Sequence, residues 1–222
     1  MNTGASVKVR DLIHRYVGQE EPIRVSGLDV HSGEKVAITG PSGCGKTTLL
    51  SCIAGILVPT AGEVTIGETR IDQLGESDRR KFRREEIGLV FQEFELLEHL
   101  DVRENAYLPL WLDGREPSAE EQEKFVGRAK RCGISDLLQR KPRALSQGER
   151  QRAAVCRALM TSPSLVLADE PTGSLDANSG QVVLDLIFEE AEITGATVIV
   201  VTHDATILGG FDRVETIEED PS

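Results

Sequence analysis

The chain has 222 residues, 39% of them hydrophobic and 28% charged, which is enough apolar sequence for one full core and excludes a disordered or fibrous protein. Its net charge of -12 is uneven, with 24 acidic and 24 basic side chains in residues 1–163 but 13 and 1 in residues 164–222. That balance speaks against nucleic acid as a partner, because phosphate backbones are held by clustered Lys and Arg. The apolar runs fall far short of the ~20 residues that span a bilayer, and nothing at the N-terminus reads as a signal peptide.

In chain order, "SVKVRDL" and "GEVTIGETRI" with their glycines predict short antiparallel strands, and "KVAIT" (Lys35 to Thr39) lies between them as a buried parallel strand. A helix is expected from Lys46 to Leu57, and the basic run "RRKFRR" (Arg79 to Arg84) reads as a solvated helix face. "IGLVFQ" (Ile87 to Gln92) is another apolar strand, followed to about Thr161 by a stretch rich in Leu, Glu, Arg and Ala that suggests a helical lobe. "SLVLAD" (Ser164 to Asp169) and "ATVIVVTH" (Ala196 to His203) are buried strands, with helices at Ala153 to Met160 and Ala177 to Ile193. The alternation predicts a three-layer α/β core with a β flank and a helical insertion.

"GPSGCGKTT" (Gly40, Pro41, Ser42, Gly43, Cys44, Gly45, Lys46, Thr47, Thr48) matches G-x-x-x-x-G-K-[ST] between a strand and a helix, the context that gives the match meaning. Its glycines let backbone N–H groups face phosphate oxygens at a helix N-terminus. Lys46 would pair with β and γ phosphates, and the Thr47 hydroxyl would ligate Mg²⁺. "LVLADEP" brings Asp169 and Glu170 to the end of a buried strand, where the first can hold the metal shell and the second can orient or deprotonate water. His203 ends another strand within reach of a γ-phosphate, and Gln92 could bond water or Mg²⁺ through its amide. His14 and His31 read as surface residues and His99 as peripheral.

"LSQGERQR" (Leu145 to Arg152) has the form of a capping box, with Ser146 as N-cap and Glu149 reaching back. The four cysteines, Cys44, Cys52, Cys132 and Cys156, lack C-x-x-C spacing and read as reduced thiols of a cytosolic protein, with no zinc site or disulfide frame. Alkylation or oxidation of Cys44, inside the phosphate loop, is expected to block function.

Taken together, the phosphate loop, "VFQEF" with Gln92, "LSQGERQR", "LVLADEP", "GSLDA" with Asp176 and "VTHD" with His203 resemble, in this order and over nearly the whole chain, the nucleotide-binding subunit of ABC transporters. The resemblance implies a P-loop NTPase (RecA-like) fold: a β-flanked core over residues 1–92 and 162–222, and a helical subdomain over about 93–161. It implies ATP hydrolysis with Mg²⁺, and stacking of Tyr16 on adenine. It also implies a homodimer in which Ser146, Gln147, Gly148 and Glu149 of one copy grip the γ-phosphate of ATP held by the other, while Asp176 crosses the interface. A separate integral membrane permease is implied, placing the chain on the cytoplasmic face of the membrane only through that partner; the segment after Gln92 would form the groove that receives it, and Phe91, Phe94, Leu96 and Leu97 either line that groove or pack within the lobe. "VFQEFELLEHLDVRENAYLPL" is similar to the subgroup serving lipoprotein release, macrolide-type export or cell division.

Gln147 and Glu149 stand where the family usually has Gly and Gln, so Glu149 either caps its own helix or repels the phosphate. A GTPase is excluded because neither Asn105 nor Asn178 is followed by Lys. Chromosome- and repair-type ATPases would have long coiled coils or zinc insertions here, and translation-type proteins two cassettes. An export motor, a membrane signalling ATPase and a soluble cassette of cofactor assembly remain as readings.

Overall fold

The computed structural model describes residues 4–18, 21–91, 94–173 and 175–217. Two sheets form the frame. The N-terminal one is antiparallel, with β1 (Val7–His14) between β2 (Ile23–Val30) and β4 (Ala61–Ile66) and the short β5 (Thr69–Arg70) at its edge. The second runs parallel in the order β6 (Ile87–Val90), β7 (Leu165–Asp169), β8 (Thr197–Val201), β3 (Lys35–Thr39), β9 (Arg213–Thr216).

Side-chain alternation in the central strands explains the layers. In β7, Leu165 and Leu167 join Ile199 and Val201 of β8 in one buried cluster with Leu49 and Ile53 of helix α1 (Lys46–Ile53) and the antiparallel sheet. Val166, Ala168, Val198 and Val200 point into a second cluster under helices α5 (Gln147–Ala158) and α6 (Ala177–Thr194). Both faces are covered, so β7 and β8 read as unbroken apolar runs. Helices α3 (Val102–Leu112), α4 (Ala119–Arg131) and α5 lie between β6 and β7 in the chain, with Phe125 of α4 fully buried in the second cluster.

Several boundaries differ from expectation for local reasons. Helix α1 stops at Ile53, before Leu57, because Gly55 turns left-handed at φ 63° and the N–H groups of Ile56 and Leu57 fold back onto the Ser51 carbonyl. Helix α5 begins at the capping box expected at Ser146 and ends at Ala158, two residues before the expected Met160. The basic run lies in α2 (Glu76–Glu86), but it is a solvated face only in part. Arg80 and Lys81 pair with Glu76 and Glu85 one turn away, whereas Arg83 donates to the Ala54 and Gly55 carbonyls at the end of α1 and Arg84 holds Asp113 at 2.5 Å. Strand β9, four residues with a partly exposed pattern, carried no apolar signal and exists through its pairing with β3.

Candidate functional site

The parallel register aligns the ends of neighbouring strands: Ile38 pairs with Val201, and Val201 with Asp169. The phosphate loop leaves β3, Asp169 and Glu170 end β7, and His203 follows β8, so the three motifs converge at the carboxyl edge of the sheet.

In the phosphate loop, a side chain is forbidden where the backbone must turn closest. A Cβ on Gly40 (φ 147°) would lie 2.4 Å from the Ile217 carbonyl oxygen, and one on Gly45 (φ 97°) would lie 2.2 Å from Ile23 Cγ2. Gly45 is the N-cap of α1, and no side chain caps this helix, so its first N–H groups are left for an anion. The Lys46 ammonium donates to the carbonyls of Gly40 at 2.8 Å and Pro41 at 2.7 Å, and lies 3.8 Å from Cys44 Sγ. Ser42, Gly43 and Thr47 are exposed, whereas Cys44 is buried. Tyr16 donates to or accepts from Thr48 Oγ1 at 3.0 Å and stands edge-on to His14, 4.8 Å between ring centroids. His14 is therefore half-buried between Tyr16 and the Val58 carbonyl, not a free surface residue.

Asp169 is buried at 9% exposure, and burial raises its pKa, the nearby Glu170 charge adding to the rise while the Thr47 hydroxyl, hydrogen-bonded to it, and Lys46 oppose it. A buried carboxylate beside a hydroxyl is the hard-oxygen pair that suits Mg²⁺, which usually takes one or two protein ligands and fills its shell with water and phosphate. No group of three or more His, Cys, Asp or Glu able to hold a metal exists among the described residues.

Glu170 takes the left-handed conformation at φ 47°, a cost of about 1 kcal/mol for a residue with a Cβ. Its N–H donates to the Val201 carbonyl at 2.9 Å, which turns the carboxylate out of the strand. There Oε1 lies 2.7 Å from His203 Nδ1, and the His203 N–H donates to Oε2 at 3.4 Å. A mostly shielded carboxylate held by an exposed imidazole can accept a proton from water while the ring fixes its direction. Gln92 lies outside the described residues.

At the start of α5, Glu149 Oε2 accepts from the Ser146 N–H at 2.7 Å and Ser146 Oγ accepts from the Glu149 N–H at 3.3 Å. Glu149 faces its own helix, and these bonds hold its pKa below the usual carboxylate range. Asp176 caps α6, accepting from Asn178 and Ser179 N–H at 3.1 Å each. Gly148 lies against the same helix: a Cβ there would meet Ser179 Oγ at 3.4 Å and Arg152 Nη1 at 3.3 Å.

Beyond the site, an apolar groove of 390 Å³ opens between α2, β6 and α3, floored by Leu89, Phe91, Leu108, Pro109 and Leu112 and rimmed by arginines. Of Phe91, Phe94, Leu96 and Leu97, Phe91 lines it; Leu96 is partly buried against the core cluster of the helical lobe, Leu97 is fixed through its backbone to Asn105, and Phe94 lies under Arg150. Sequence spacing also concealed two contacts between distant elements. Arg128 and Glu190 form a buried pair at 2.8 Å joining α4 to α6, and Cys132 and Cys156 bring their sulfurs to 3.3 Å inside the helical lobe.

The family described as ABC transporter matches residues 23–173. A lipoprotein-releasing system ATP-binding protein, LolD, of Pseudomonas fluorescens is 40% identical over 222 residues, covering 99% of this chain and 97% of that protein. An uncharacterized ABC transporter ATP-binding protein, MT1014, of Mycobacterium tuberculosis is 44% identical over 193 residues, covering 86% and 77%. Among solved structures, the dimeric, post-hydrolysis ATP-binding cassette MJ0796 bound to ADP and Pi superposes with a TM-score of 0.85 at 36% identity, covering 97% of each chain.

Proposed function

The chain belongs to the ABC transporter family and is an ATPase, and from that premise we propose that two copies close head to tail around two ATP molecules and drive a membrane permease that extracts or exports a lipoprotein or similar amphipathic substrate. The observation carrying this reading is the convergence of Lys46, Asp169, Glu170 and His203 at the ends of adjacent strands. Residues of about 93–161 act as a helical lobe within a single cassette.

In this reading Lys46 exchanges the Gly40 and Pro41 carbonyls for the β and γ phosphates, beside the uncapped N–H groups of α1. Thr47 and Asp169, with Gln92, would hold Mg²⁺, which would supply positive charge against the phosphates. Glu170 takes the proton of the attacking water, and His203 keeps its carboxylate aimed. Tyr16 lies at the adenine side. Ser146, Gln147, Gly148 and Glu149 of the second copy close over the γ-phosphate through the backbone N–H groups at the start of α5, since the Glu149 carboxylate is held by its own cap. Asp176, on the loop between the two sites, faces the neighbour. Closure excludes water and completes the site, so binding moves the permease and hydrolysis resets it.

The permease partner rests on the ABC transporter family and the LolD relative, and the apolar groove fits one face of a short amphipathic helix. The lipoprotein class rests on the LolD relative. The chain would then sit on the cytoplasmic face of the membrane, held through its permease. The test is affinity purification from detergent-solubilised native membranes, with wild-type chain and with Leu108→Asp in the groove. An integral membrane protein bound by the first and lost by the second is expected; identical recovery of only water-soluble partners by both overturns the reading.

A further inference from the structure

Glu170 departs from its preferred backbone twice: it is left-handed at φ 47°, and a residue that precedes a proline favours extended backbone. The turn that follows it must therefore be held by its surroundings. The Gly173 N–H donates to the Glu170 carbonyl at 3.1 Å, which closes the turn, and Thr172 packs so tightly on α6 that a Cβ at Gly180 would lie 3.2 Å from Thr172 Cβ. Between them, Pro171 is buried and has no N–H, so its carbonyl is the only polar backbone group through which it can be tied down. That carbonyl accepts from Nε2 of Gln151, at the start of the second turn of α5, at 2.9 Å. Gln151 is 1% exposed, and its own Oε1 has no partner among the described residues. A buried oxygen without a donor is unfavourable, and a methionine of similar size would avoid it, so what this position gains from glutamine is the N–H.

We propose that Gln151 is a positioning residue for ATP hydrolysis: its side-chain N–H holds the Pro171 carbonyl and so fixes the turn that aims the Glu170 carboxylate. The inference rests on the reading of Glu170 as the proton acceptor. Three bonds then hold the strained residue from three directions. Val201 of β8 takes the Glu170 N–H, Gly173 closes the turn onto the Glu170 carbonyl, and Gln151 anchors the next carbonyl along the chain to a helix that packs on the sheet. Without the third bond the Pro171 carbonyl has no donor in a buried place, and the peptide must rotate towards water, carrying the adjoining Glu170 out of line with His203. Gln151 touches neither nucleotide nor water in this arrangement and acts only through the backbone of the turn.

The test compares wild type with Gln151→Met, which keeps volume and removes the donor, with Gln151→Glu, which keeps shape and turns an oxygen towards the carbonyl, and with Gln151→Met combined with Glu170→Gln. Amide exchange at Gly173 is followed in the nucleotide-free chain, together with kcat and KM for MgATP and the single-turnover rate. In Gln151→Met the Gly173 exchange should accelerate about tenfold or more, and kcat should fall about tenfold with KM held within about twofold, the signature of misplacement. Gln151→Glu should lose at least as much. In the Glu170→Gln background the methionine should slow single turnover by no more than about twofold, because no acceptor remains to be misplaced. A kcat within about twofold of wild type in both single variants overturns the proposal, as does a full further loss in the Glu170→Gln background. Failure of both single variants to fold overturns it as well, since Gln151 would then serve the core and not the turn. Gly173 exchange is read without nucleotide, so it decides the Gln151 anchor separately from any failure of the Glu170 reading, which would appear as unaltered turnover in Glu170→Gln alone.

Discussion

Glu170 Oε1 and His203 Nδ1 stand 2.7 Å apart at the ends of adjacent strands, one residue strained and mostly shielded, the other exposed. The pairing holds a carboxylate and an imidazole just beyond the ends of β7 and β8, so their relative position is set by the sheet; in the proposed reading they are the proton acceptor and the group that orients it.

Glu170→Gln should therefore lower kcat by about 100-fold or more while leaving ATP affinity within about threefold, since the lost group acts on water and not on the nucleotide. ATP should then hold the dimer closed, visible as a shift in size-exclusion volume. His203→Ala should cost a similar factor, and the double variant no more than the worse single one, because the two act as a unit. Additive losses in single-turnover kinetics would count against coupling.

Glu149→Gln should leave the ATPase rate within about twofold, because the amide oxygen can still accept from the Ser146 N–H and no charge faces the phosphate. Ser146→Ala, which removes the cap oxygen, should lower stability by about 1 kcal/mol in urea unfolding. The folded-state pKa of Glu149 is depressed, so its contribution is present above the ordinary carboxylate range and lost as pH falls through the folded value. The stability gap between wild type and Glu149→Gln should accordingly narrow on acidification; a gap that is flat with pH would show that the carboxylate is not held by the cap.

Asp169→Asn should abolish Mg²⁺-dependent hydrolysis yet raise the stability of the nucleotide-free chain by about 1 kcal/mol, the usual exchange of stability for function at a charged site. Burial raises the Asp169 pKa in the fold, so its penalty is absent below the unfolded value and grows as pH rises through the folded one. Calorimetry should find the gain of the variant larger at pH 7 than at pH 4. Adding Mg²⁺ and ATP should protect wild type and not the variant.

Glu190→Ala should be among the most destabilising single changes, about 3–5 kcal/mol, because it leaves Arg128, 3% exposed, without its counter-charge. Arg128→Met combined with Glu190→Leu should recover most of that loss. If the two single variants and the pair are equally unstable in denaturant titration, packing and not charge governs the α4–α6 junction.

The chemistry-bearing parts were legible because they are local. "GPSGCGKTT", "LVLADEP", "LSQGERQR" and "VTHD" each need particular residue types at consecutive positions, where glycine conformations, helix termini and strand ends act over a few bonds. Family membership and the α/β architecture followed from their order and from the unbroken apolar runs of β7 and β8. What sequence left open was whatever depends on partners far away in the chain. Glu149 could cap or repel until its carboxylate was found 2.7 Å from the Ser146 N–H. Whether each of Phe91, Phe94, Leu96 and Leu97 lines a groove or packs in the lobe stayed open in sequence, because periodicity does not tell that Leu96 packs against the core while Phe91, Leu108 and Leu112 line the groove.

By itself the sequence determined the phosphate loop, the acidic strand end and the capping box, since hydrogen bonds and backbone conformations there span neighbouring residues. Only the tertiary structure decided that Arg157 grips Phe94 and Glu95, that Arg128 is buried against Glu190, and that Glu170 meets His203, because those distances are set by the packing of β7, β8, α4, α5 and α6 around a common core.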